Sequence, residues 1–339
     1  MMPLLTYCHE GLLMRFAPAI LLLLCIVGNS HVAYAQSIQP ELLEWWKANA
    51  PTCSAPDGFL FVAKNSGAGC GDEDDRKSTL YAGLLCAAGE PIGCETVKRA
   101  QDPLSGRWFR SPRRAQSNNL GQQDSFGPDM AIGNQLYLAT QSQAASMNLW
   151  LSWLDAHRTC WIGSGDNCVR SLLIRFCTDD TQNRCTAMAL DLGILASTSN
   201  KLGQSSPSED VNHLLNQAKL NMLDLIWSDS QFKNDGVSQH LVGAEILLLR
   251  RLGITDQRLV GAAHALAGKQ PNNPFFLYLS EGPTQKVVNL TLSFCPTPAT
   301  GMPHQRNQWA WEGDVSQGPS SNSMLWDCVF MARLIASGK

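Results

Sequence analysis

The chain has 339 residues, 44% of them hydrophobic, and a formal net charge of −3. That balance gives no electrostatic grip on nucleic acid. Beyond the first 35 residues, no stretch is long and apolar enough to span a bilayer, which takes roughly 20 residues.

Residues 1–35 read as a signal peptide. The run Ile20 to Val27 is apolar, Arg15 supplies positive charge ahead of it, and Ala33-Tyr34-Ala35 has the small-x-small form of a cleavage site. The expectation is an exported protein, periplasmic or extracellular, with residues 36–339 as one domain and no membrane contact once the peptide is removed. Cysteine usage agrees. Cys8 and Cys25 fall in the removed segment, and the other ten form close neighbours: 53/70, 86/94, 160/168 and 177/185, with 295/328 left over. An even count in an exported chain reads as disulfides, and no C-x-x-C pair suggests zinc.

Taken in order, the first helix opens at Gln39-Pro40-Glu41, with Pro and an acid in its first turn. An acidic loop follows, Gly71-Asp72-Glu73-Asp74-Asp75-Arg76. It leads into a helix over 78–88 with leucines at helical spacing. Such acids complement a helix N-terminus; alternatively Asp75 stands at the mouth of a cleft as an acid, base or substrate ligand, with Arg76 beside it. Calcium suits carboxylates, but the alternate-position pattern of an EF-hand is missing, and no metal or cofactor is expected. Next, Gly106-Arg107-Trp108-Phe109-Arg110 sets aromatics among cations. Trp108 and Arg110 suit the apolar face and hydroxyl rim of a sugar, or else Trp108 is core.

The segment Asp124-Ser125-Phe126-Gly127-Pro128-Asp129 places Asp129 near the start of a helix over 128–139 and Asp124 in the loop before it. Further helices are expected over 144–157, 186–197, 210–227, 237–252 and 255–267. Gly253 suits a C-terminal cap and Thr255-Asp256 an N-cap. His240 and Glu245 interrupt the otherwise apolar helix over 237–252; His240 is a candidate donor to a substrate hydroxyl or a satisfied core histidine. The run 286–294 is the one tempting strand. Residues 302–322 read as a long polar loop in which Trp309 or Trp311 stands as an exposed platform, and a last helix covers about 323–337.

About ten helices, short or Cys-stapled loops and no linker predict an all-α domain, an (α/α) toroid or a bundle. There is no G-x-S-x-G, H-E-x-x-H, P-loop or dinucleotide fingerprint. With its helix count, Trp content and loop-borne Asp, the layout resembles the secreted bacterial (α/α)-toroid glycosidases and lyases. That resemblance implies a carbohydrate substrate and a cleft built from interhelical loops. Glycoside cleavage there takes two carboxylates, expected from Asp129 with Asp75, or with Asp124. The alternatives are a polysaccharide lyase, leaning on His240, a Tyr or Arg110, and a non-catalytic exported binder of glycan or protein.

Overall fold

The computed structural model describes residues 38–64, 70–71, 74–117, 126–179, 184–301, 309, 312 and 325–338. The expected signal peptide, Asp124 and Trp311 lie outside them.

The chain is mostly helical, with thirteen α-helices among the described residues. They are α1 (Pro40–Asn49), α2 (Ser78–Ala87), α3 (Pro91–Arg99), α4 (Pro112–Gln116), α5 (Pro128–Thr140), α6 (Ala144–Ala156) and α7 (Ala189–Lys201). They continue with α8 (Glu209–Phe232), α9 (Val237–Arg251), α10 (Gln257–Lys269), α11 (Pro274–Glu281), α12 (Gln285–Phe294) and α13 (Trp326–Ser337). Two short antiparallel hairpins, absent from the expectation, join β1 (Thr52–Ser54) to β2 (Leu60–Val62) and β3 (Cys160–Ile162) to β4 (Val169–Arg170). None of the described helices is long and apolar enough to cross a membrane.

Helices of two kinds alternate. Every residue of α2 is buried, as are most of α5, α7, α9, α11 and α13. By contrast α8 buries five of its 24 residues, and α1, α3, α10 and α12 each bury one face. A helix apolar all round belongs in a core, and one with a single apolar stripe covers it. Neighbouring buried helices touch in sequence: α2 on α5, α5 on α7, α7 on α9, α9 on α11 and α11 on α13, and α13 returns to α2.

Helices α2 and α5 run in the same direction. Gly133, in the middle of α5, lies against Thr79 and Leu80 in the first turn of α2. Near their ends, the Gln141 side-chain amide reaches Cys94 Sγ at 3.4 Å, beside the Cys86 sulfur to which Cys94 is bonded. A Cβ on Gly83 would sit 2.1 Å from the Gly133 carbonyl oxygen, so the two backbones meet with nothing between them.

The run 286–294 is helical, not extended. Thr284 caps it through the Val287 amide, and Val287, Val288, Thr291 and Phe294 are buried at helical spacing. The β-branched residues suggested a strand, but a single buried stripe decides the outcome. Helices α3, α4 and α11 also went unforeseen; each begins with Pro at its first position.

All five disulfides pair as the spacing suggests: Cys53–Cys70, Cys86–Cys94, Cys160–Cys168, Cys177–Cys185 and Cys295–Cys328. The last closes 33 residues of chain, worth about 4 kcal/mol in lost unfolded-state entropy, and ties α12 to α13.

Candidate active site

The close crossing of α2 and α5 brings their N-termini together. Lys77 precedes α2 in a left-handed conformation, φ 64°, which a residue with a Cβ adopts only at a cost of roughly 1–3 kcal/mol. Asp129 is the second residue of α5, behind Pro128, where the helix dipole favours a negative charge.

Residues from near the other end of the chain complete the group. Glu312 is 2% exposed. Its Oε2 accepts a 2.7 Å hydrogen bond from Tyr81 Oη, and its Oε1 lies 3.5 Å from Lys77 Nζ. Trp309 stacks on Tyr81 with ring centroids 5.0 Å apart and planes 15° from parallel. Gly236, at φ 92°, turns the chain into α9 beneath this segment, and a Cβ there would lie 3.0 Å from the Glu312 carbonyl.

Removal from water raises the Asp129 pKa; Lys77 pulls it down, and the Glu312 charge pushes it up again. Tyr81 is pushed well above its usual value by burial and by Glu312, so it remains a phenol that donates. His240, in the first turn of α9, is wholly buried against Trp309 (5.9 Å) and Phe275 (5.8 Å). Among the described residues neither ring nitrogen has a hydrogen-bond partner, and burial lowers its pKa to about 4. It is neutral at pH 7 and holds one donor and one acceptor unused.

Two more carboxylates adjoin this group. Asp191, at the start of α7, accepts from the Met188 amide at 2.8 Å; burial and the Asp129 charge raise its pKa to about 6. Glu245, deeper in α9, is raised well above its usual value by burial, then by Asp191 and Asp229. No group of three or more His, Cys, Asp or Glu among the described residues is arranged to hold a metal ion.

The other expected site residues lie elsewhere or play packing roles. Asp75 is fully buried and faces Arg110 Nη2 at 3.1 Å, Arg113 Nε at 2.9 Å, Arg114 Nε at 3.7 Å and Ser111 Oγ at 2.8 Å. This carboxylate fastens the acidic loop to α4. Arg110 is 3% exposed and engaged with Asp75, not presented to a cleft. Arg76 is half-buried beside it. Trp108 is wholly buried, edge-on to Tyr137 and Trp150. Trp309 is no exposed platform either, since it has no exposed surface.

The structure therefore gathers Asp129, His240 and Trp309, and adds Lys77, Tyr81, Glu312, Asp191 and Glu245. The one sequence signal for Glu312 is its place beside two Trp residues in a polar, Gly-rich stretch. Comparison of the chain with protein-family models, with curated proteins and with solved structures gives no match.

Proposed function

We propose that the chain is an exported glycoside hydrolase with an (α/α) toroid fold, in which Asp129 is the general acid and Glu312 the base or nucleophile. The observation that carries this reading is the pair of carboxylates at the N-termini of α2 and α5, set in different surroundings around one lysine. Glycoside cleavage needs one carboxyl that keeps its proton for the leaving oxygen and one that stays charged. Burial and the Glu312 charge suit Asp129 to the first task. Glu312 takes the other place, held by the Tyr81 hydroxyl on one oxygen and with Lys77 Nζ at 3.5 Å from the other.

The toroid is supported by the alternation of buried and amphipathic helices and by the return of α13 onto α2. Export is supported by the five disulfides and the sequence of residues 1–35. Tyr81 disfavours the lyase alternative, because a phenol whose pKa is pushed well up is a poor proton abstractor.

The test is release of reducing ends from a panel of bacterial and plant glycans by wild type, Asp129→Asn and Glu312→Gln. Activity in wild type and a loss of at least about 100-fold in each folded variant is expected. No release from any glycan by wild type contradicts the proposal and turns the site into a binder's groove.

A further inference from the structure

We propose that the cavity where α2, α5, α9 and α13 end is a binding site for a small oxyanion, a carboxylate or a phosphate, with Arg251 as its anchor. The site is separate from the Asp129–Glu312 pair and does not depend on the hydrolase reading. Lys77, Asp129 and His240 stand at the starts of α2, α5 and α9, and this cavity lies at the ends of the same helices.

The cavity has a volume of about 400 Å³, within the range of small-molecule sites. Ala87, Thr140, Arg251 and Ser337 line it, and each is the last residue of its helix. The carbonyl ends of helices attract a cation, so an arginine suits this place. Those carbonyls do not bond it, however. The backbone amides of Ala88, Gln141, Leu252 and Gly338 donate to the carbonyls of Leu84, Tyr137, Leu248 and Ile335. Arg251 Nε and Nη2 are shut off from solvent with no hydrogen-bond partner among the described residues, which leaves Nη1 to meet the cavity. Thr140 Oγ1 is likewise buried with no partner among them.

Charge points the same way. The acid that lines the cavity is Glu95, which lies 3.7 Å from Lys98 and forms no ion pair with Arg251. Burial lowers the Arg251 pKa, and no carboxylate among the described residues offsets that. Lys201 and Arg250, at the ends of α7 and α9, add positive charge; both are exposed and without an ion pair among the described residues. A Cβ on Gly253 would lie 3.9 Å from Lys201 Nζ, so that lysine stands beside the end of α9. A second cavity, of about 470 Å³, gives the contrast: there Asp155 and Asp210 each hold Arg158 at 2.9 Å, so the charge is met within the protein. A partly buried charge with no partner is costly. A guanidinium spreads its charge over three nitrogens, and its N–H groups match carboxylate and phosphate oxygens. An oxyanion at Nη1 therefore offsets the charge of the whole group, and the Thr140 hydroxyl is a further donor in the lining. A neutral ligand would leave that charge unmet.

The experiment titrates wild type, Arg251→Gln, Thr140→Val and Lys201→Gln by calorimetry with inorganic phosphate and with glucuronate, at an ionic strength held constant with sodium chloride. Saturable binding of at least one probe to wild type is expected. It should be at least about tenfold weaker in Arg251→Gln, several-fold weaker in Thr140→Val and within about threefold of wild type in Lys201→Gln. Thr140→Val keeps the shape of its side chain, so the test stands even if Arg251→Gln fails to fold. Phosphate binding that depends on Arg251 or Thr140 assigns a phosphate ligand, and glucuronate binding with the same dependence assigns a carboxylate. No binding of either probe, or affinity unchanged in the folded variants of Arg251 and Thr140, would overturn the site. An equal loss in Lys201→Gln would overturn it too, because it would mark a diffuse cationic surface.

Discussion

His240 carries two ring nitrogens into surroundings that, among the described residues, give them no partner. Its folded pKa of about 4 lies below the free value of 6.5, so the unfolded chain takes up a proton that the folded chain refuses. Stability from this residue is intact above pH 6.5 and falls as the pH drops towards 4. Asp191 works in the opposite sense: raised to about 6, it favours the folded state as pH falls through that window. The two are separated by comparing urea unfolding of wild type and His240→Phe. Relative to wild type, the variant gains on the order of 3 kcal/mol between pH 7 and pH 4. A difference that does not change with pH would mean that the ring finds a partner when protonated. Asp75 acts by geometry instead. Asp75→Asn removes the anion that three buried or half-buried guanidiniums share, and a loss of about 3–5 kcal/mol is expected in the same assay. His240 and Asp129 were legible as candidates because each breaks a pattern, an apolar helix or a helix start. Asp75 broke one too, but its partners come from Arg110 to Arg114, whose engagement no spacing reveals.

At the scale of elements, the crossing of α2 and α5 positions the site. Ala is a better helix former than Gly by about 1 kcal/mol, so propensity alone favours Gly133→Ala. Sterics decide otherwise: the new Cβ would lie 2.1 Å from the Thr79 carbonyl oxygen, which is backbone and cannot swing aside. The variant is expected to lose about 3 kcal/mol by denaturant unfolding. It is also expected to lose activity, because Lys77 and Tyr81 move with α2. Full stability in Gly133→Ala would show that the helices separate freely. Most helices were legible from their apolar spacing and caps, as with Asp256 capping α10 and Gly253, at φ 82°, ending α9. Helix α11 was not: Phe275, Phe276, Leu277, Tyr278 and Leu279 are all buried, so no polar face marks its period. Helix α12 was hidden by its β-branched residues.

At the scale of the whole molecule, the disulfide pairing was legible because each partner lies close in sequence, or was the last left over. Four of the five pair cysteines 8 or 17 residues apart, and both Cys86–Cys94 and Cys295–Cys328 tie a helix to the next segment of chain. The candidate site was half legible. Its other half, Glu312 with Tyr81 and Lys77, is assembled by the return of the chain's last third onto α2, and no local pattern encodes that meeting. Asp129, Asp191 and His240 stand in the first turns of three of the buried helices, α5, α7 and α9.

The most direct measurement compares initial rates of glycan cleavage by Asp129→Asn and Asp75→Asn, each scaled to its folded fraction. The account predicts a fall of at least about 100-fold for Asp129→Asn and a rate near that of wild type for Asp75→Asn. An inactive, folded Asp75→Asn beside an active Asp129→Asn would contradict it, and would return the chemistry to the arginine-bound carboxylate.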